Sequence, residues 1–201
     1  MDHNAIAGYL SAAGTIFVAI LAIWGDWFRA KFSPPKLVIE PHNLRGTLTK
    51  FNDGKRVIFY HLKVVNLRKW FTVKNCRVIL SQIHRQGPAG QFKMVSLPVP
   101  EQYVWSPAEF SPVLQTVHKE AVFDLGYIVE GEKKFIPRLY STPNDFKGFV
   151  GEGDAVRFSM EIVADKFMSE NYQVFEVAWN GKWSDNLDEM GNNLSIKEVS
   201  K

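Results

Sequence analysis

Residues 57–65 read Val-Ile-Phe-Tyr-His-Leu-Lys-Val-Val, a run without Gly or Pro and rich in β-branched and aromatic side chains. Side chains alternate across a strand, so Ile58, Tyr60, Leu62 and Val64 can share one face. Just upstream, the turn-forming Asn52-Asp53-Gly54-Lys55 separates two β-prone runs, Thr47–Phe51 and Arg56–Val65. The same alternation recurs downstream. In Val73–Ile83 it sets Cys76, Val78 and Leu80 against Arg77, Ile79 and Ser81. In Ala155–Ala164 it sets Val156, Phe158, Met160 and Ile162 against Arg157, Ser159 and Glu161, the pattern of a half-buried strand. Leu37-Val38-Ile39, Phe92–Val99, Ala121–Val129 and Gln173–Trp179 read as further strands. Asn180-Gly181, between Trp179 and Trp183, fits a two-residue hairpin turn. Seven or eight short strands, with helical signal only near the end, predict an all-β antiparallel sandwich. The segments Gln102–Lys119 and Lys133–Gly153 carry Pro107, Pro112, Pro137 and Pro143 and are predicted to be long loops.

Before this domain the sequence has another character. From Ala5 to Trp24 it carries no formal charge, and at 1.5 Å rise per residue this is roughly 30 Å of helix, the thickness of a bilayer's hydrocarbon core. Asp26 closes the run, and Trp24, Trp27 and Phe28 cluster at its end as interfacial aromatics do. A cleaved secretory signal fits poorly, since no Lys or Arg precedes residue 29 and the run ends in bulky Ile23-Trp24. The expectation is one N-terminal transmembrane helix and juxtamembrane segment over 1–32, a stiff Ser33-Pro34-Pro35 linker, and a β-sandwich over 36–201. Arg29, Lys31 and Lys36 follow the span, while only Asp2 and His3 precede it. The positive-inside rule then places the chain in the inner (plasma) membrane with its N-terminus outside and the β domain in the cytoplasm.

Composition removes several classes. Aromatics at 13% and hydrophobic residues at 46% exclude disorder as the main state. A single cysteine, Cys76, excludes an intramolecular disulfide scaffold and a Cys-based zinc finger. The net charge of +3 is too small and dispersed to predict nucleic-acid binding. Before Arg29 the only charged side chains are Asp2 and Asp26, so the remainder carries +5, which suits an anionic inner leaflet.

The Trp-Gly-Asp exit from the span, Pro-Pro-Lys-Leu entering the first strand and Tyr60-His61-Leu62-Lys63-Val64-Val65-Asn66 carry a resemblance. With Asp124-Leu125-Gly126 and Asn180-Gly181-Lys182-Trp183, they make the chain similar to small bacterial membrane-anchored proteins with an immunoglobulin-like sandwich. The likeness covers most of the chain and implies a fold and a topology. It implies no activity, and no functional residue carries over from it.

Catalytic signatures are missing: no GxSxG, P-loop, HExxH or strand–GxGxxG–helix occurs. The five histidines never fall at i, i+2 or i, i+4 spacing, so no metal site and no cofactor is expected. His61 reads as a sheet-face residue and Cys76 as a small hydrophobe. Asp185, Asp188 and Glu189 read as a helix start, with Ser184 or Asp185 as N-cap. The one candidate binding site is an exposed basic-aromatic loop, Arg68, Lys69, Trp70 and Phe71, suited to anionic lipid headgroups.

The resulting expectation is a non-enzymatic interaction module, bound to the bilayer through residues 5–24 and to a partner protein within a membrane-associated assembly. The alternatives are a small-ligand sensor whose pocket is roofed by Gln102–Lys119 and Lys133–Gly153, or a hydrolase built from those loops. A partner module should expose an apolar patch or an open edge strand, whereas a sensor should show a pocket with a few convergent polar groups.

Overall fold

The computed structural model describes residues 3–32, 35–68, 71–109, 112–165 and 167–199, with the helix side chains described from 8 to 25. The chain divides into two compact units, Met1–Pro35 and Lys36–Lys201.

The first unit is the helix α1 (His3–Phe32). Its stretch Gly8–Gly25 is long and apolar enough to cross a membrane, and none of it is buried by protein. The hydroxyl of Thr15 donates to the Ser11 carbonyl at 3.0 Å, so this polar group within the apolar stretch is satisfied inside the helix.

The second unit is a sandwich of two antiparallel sheets. In chain order its first half runs β1 (Leu37–Lys50), β2 (Arg56–Asn66), β3 (Val73–Gln86), β4 (Phe92–Val95), β5 (Glu101–Gln102), β6 (Gln115–Val117) and β7 (Glu120–Val129). Then follow β8 (Lys134–Pro137), β9 (Val150–Gly151), β10 (Ala155–Ala164), β11 (Phe167–Met168), β12 (Gln173–Trp179), α2 (Leu187–Asn193) and β13 (Leu194–Glu198). One sheet has the order β1-β2-β7-β8-β9. The other has the order β13-β12-β10-β3-β4, with β11 on β10 and both β5 and β6 on β3. Because β3 is long, β10 covers one side of it while β6, β5 and β4 share the other.

The inward sets are those that alternation predicts. Ile58, Tyr60, Leu62 and Val64 are fully buried, and so are Cys76, Val78 and Leu80. The β2 set meets the β3 set, together with Val156, Phe158, Met160 and Ile162 of β10, across the sandwich in one core. Burying a side chain of this size yields about 1.5–3 kcal/mol, so this layer is the main driving force for the fold.

Several expectations change in detail. Leu37–Ile39 and Thr47–Lys50 belong to one strand, β1, with register shifts between Pro41 and Asn43 and between Asn43 and Thr47, and Phe51 lies just past its end. The two proline-bearing loops contain β6, β8 and β9, strands of two to four residues that are too short to show a period. Asn180-Gly181 does bend the chain, with Gly181 at φ +86°. The return strand β13 comes only after α2, so the connection is not a two-residue hairpin. The N-cap of α2 is Asn186, whose side chain accepts from the Asp188 and Glu189 amides. Ser184 and Asp185 bond instead to Glu189 and to Trp183 and Arg56.

The free edge of β1 is blunted. The Gln173 side chain accepts from the Ile39 amide at 2.6 Å and donates to the Ile39 carbonyl at 3.0 Å, taking the place of a neighbouring strand. Further along, Arg45 pairs with Asp188 of α2 at 2.6 Å.

Candidate functional site

A register shift in the five-stranded sheet creates the most distinctive arrangement of side chains. Tyr60 pairs with Gly126, but the next residue, His61, pairs with Asp124, leaving Leu125 as an extra residue in β7. In an unbroken strand, positions three apart point to opposite faces. The bulge cancels that, so Asp124 and Tyr127 both reach the outer face, opposite His61 and Phe59.

On that face His61 Nδ1 lies 2.9 Å from Asp124 Oδ1. The Asp124 side chain is only 6% exposed and that of His61 15%. A carboxylate on Nδ1 favours the tautomer with its proton there and turns Nε2 outward as the free nitrogen. The His61 ring stacks on Phe59, with centroids 6.4 Å apart and planes 12° apart. Phe51, from the turn after β1, meets Phe59 and Tyr127 edge-on at 6.0 and 5.8 Å. Arg138, just past β8, lies over the Tyr127 ring at 5.9 Å.

Phe51, Phe59, His61, Asp124 and Arg138 line a hollow of about 550 Å³, together with Thr47, Lys50 and the segment Ser106–Glu109. The two long loops of the sequence each contribute a wall, Ser106–Glu109 from one and Arg138 from the other. Lys50 and Glu109 are exposed at its rim. Among the described residues Arg138 forms no ion pair, and its buried Nε meets no acceptor. Two residues along β2 from His61, Lys63 donates to Glu120 at 2.9 Å. That bond holds the ammonium above and the carboxyl below their ordinary ranges.

A histidine held by a carboxylate is half of a nucleophile-activating relay. The third member is missing: Ser106, Thr47 and Thr49 line the same hollow, yet no hydroxyl bonds to His61 among the described residues. No three of His, Cys, Asp and Glu gather closely enough there or elsewhere among the described residues to hold a metal ion. Cys76 is fully buried, and burial pushes its thiol up to about 12, which suppresses the reactive thiolate.

The loop singled out from sequence is built around buried Asn66. Its side-chain amide donates to the carbonyls of Phe71, at 2.5 Å, and His118, at 3.1 Å, while its oxygen accepts from the Arg68 amide. Arg68 and Phe71 are half-buried rather than exposed, and among the described residues of this loop the exposed apolar one is Leu67. Lys69 and Trp70 lie outside the described residues. Of the acidic group near the C-terminus, Asp185 engages Arg56, Asp188 engages Arg45 and Glu189 engages Ser184. Each carboxylate is therefore committed to a separate partner.

No protein-family model and no curated protein matches this chain.

Proposed function

We propose that this chain is a single-pass, membrane-anchored binding module, non-enzymatic, whose immunoglobulin-like sandwich holds a small ligand in the hollow beside His61 and Asp124. The observation that carries the reading is the hollow itself. It joins an apolar wall, Phe51 and Phe59, to polar groups with spare capacity, Arg138 and His61 Nε2. Its volume of about 550 Å³ falls within the range of small-molecule sites. The apolar length of α1 supports the anchor. The basic residues that follow it support an inner-membrane location, with the N-terminus outside and the sandwich in the cytoplasm.

A second reading, a protein partner within a membrane-bound assembly, rests on a different patch. Val113, Leu114 and Tyr140 are 55%, 43% and 42% exposed. Their segments are joined where Gln102 donates to the Val113 carbonyl and Tyr140 to that of Pro112. The blunted edge of β1 favours the ligand reading over strand addition.

Full-length protein purified from membranes, stripped of bound small molecules and assayed by mass spectrometry, tests the choice. The expected result is a released compound that Phe59→Ala protein no longer carries. Crosslinking in intact membranes that captures one protein through 112–114 or Tyr140, with no compound released, would move the function to the second reading.

A further inference from the structure

We propose that the hollow is selective for a small carboxylate with a flat apolar body, seated with its charge on Arg138. The proposal rests on the ligand reading above and adds the ligand's chemistry.

Arg138 is the unusual group. Its guanidinium carbon lies 5.9 Å from the centre of the Tyr127 ring, within reach of a cation–π contact, and the side chain lines the hollow. Asp124 lines the same hollow but is not within ion-pairing distance, and its described hydrogen bond goes to His61. Among the described residues the Arg138 side chain has no hydrogen-bond acceptor, and its Nε is already closed off from solvent. The half-buried guanidinium thus lines the hollow with no acceptor for its Nη groups among the described residues. A carboxylate matches the Nη edge of a guanidinium with two parallel charge-assisted bonds.

The walls define the rest of the ligand. Phe51 and Phe59 stand perpendicular to one another, at 90°, and offer a corner that a flat ring or chain can fill. His61 Nε2, set as an acceptor by Asp124 on the other nitrogen, would take a hydroxyl or N–H of the same ligand. The rim charges, Lys50 and Glu109, are of opposite sign, and the Asp124 carboxylate is engaged by His61, so Arg138 is the cation left to take an anion.

The test uses the full chain in detergent micelles, titrated by saturation-transfer NMR with three probes: benzoate, its uncharged isostere benzamide, and inorganic phosphate. Benzoate should bind saturably, and benzamide and phosphate at least about tenfold more weakly. Arg138→Gln should lose benzoate affinity by about tenfold or more, and Arg138→Lys, which keeps the charge without the fork, should fall between. Phe59→Ala should weaken benzoate and benzamide alike. If Arg138→Gln fails to fold, the Lys variant and the benzoate–benzamide ratio carry the test. Equal binding of benzoate and benzamide, both lost in Phe59→Ala, would overturn the carboxylate assignment and leave the hollow as a binding site. Absence of saturable benzoate binding overturns it too, while the ligand reading stands or falls on the released-compound experiment.

Discussion

His61 Nδ1 and Asp124 Oδ1 stand 2.9 Å apart across the strand pair, and each is the other's only side-chain hydrogen-bond partner among the described residues. A pair so isolated and so little exposed should behave as a unit. In a double-mutant cycle of His61→Ala and Asp124→Ala, read by chemical denaturation of the full chain in micelles, the coupling should reach about 1–3 kcal/mol. Additivity within about 0.5 kcal/mol would show that the pair does not hold together in solution.

Gly126 sits where two strands and an aromatic ring converge. A Cβ placed there would overlap the Phe135 ring and the Ile136 carbonyl oxygen, and the second cannot yield without moving β8. Gly126→Ala should therefore destabilise by about 2–4 kcal/mol, and adding Phe135→Leu should not restore it. A melting temperature matching the parent protein would contradict the close approach.

Alkaline pH should unfold the sandwich early. Burial raises Tyr60 and Tyr103 well above the ordinary phenol range and pushes Cys76 to about 12. An unfolded chain loses these protons at about 8.5 for a thiol and 10 for a phenol, while the native chain keeps them. The stabilising contribution is complete below those values and is lost as pH rises beyond them, at up to about 1.4 kcal/mol per pH unit for each group. Tyr103→Phe should make the decline shallower in denaturant titrations between about pH 9 and 11. Its hydroxyl meets no acceptor among the described residues, so the substitution should leave stability at neutral pH equal or higher. A steeper decline, or a large loss at neutral pH, would count against this.

Membrane sidedness can be read with an exposed cysteine. Cys76 is buried, so its resistance to a thiol reagent says nothing about the compartment it occupies. Glu132, exposed in the turn between β7 and β8, can carry a cysteine in a Cys76→Ala background. With the sandwich in the cytoplasm, an impermeant maleimide should label Glu132→Cys only after spheroplasts are permeabilised. Labelling in intact spheroplasts would reverse the orientation.

Strand content was legible because burial imposes a period of two on long strands. The Val57–Val65 alternation assigned Ile58, Tyr60, Leu62 and Val64 to the inward face of β2, and Ala155–Ala164 matches β10 in both type and bounds. The bulge at Leu125 left no such trace, since a single extra residue within an apolar run keeps the composition of a strand while reversing the faces beyond it. Without the bulge, Asp124 and Tyr127 look unrelated, so a pocket under the two long loops was legible as an alternative but the sheet residues that floor it were not. His61 was correctly placed on a sheet face, but its partner lies 63 positions away. Arg138, a lone base after a four-residue strand, gave no local signal at all. The α2 cap slipped by a residue or two because Ser184, Asp185 and Asn186 are all competent caps, and only the chain's path selects among them.

The two sheets differ in when their strands emerge during synthesis. Each residue named at the hollow lies between Thr47 and Arg138, and the five strands of that sheet are all made by residue 151. The other sheet is slower: β3 ends at Gln86, but its long partner β10 begins only at Ala155, and β13 closes the edge at the far end of the chain. An emerging polypeptide therefore carries one edge of β3 unpaired while nearly seventy more residues are added. Contacts so distant along the chain close late and expose apolar surface in the meantime. Ribosome stalling between β3 and β10 should accordingly be far more damaging than stalling after β12.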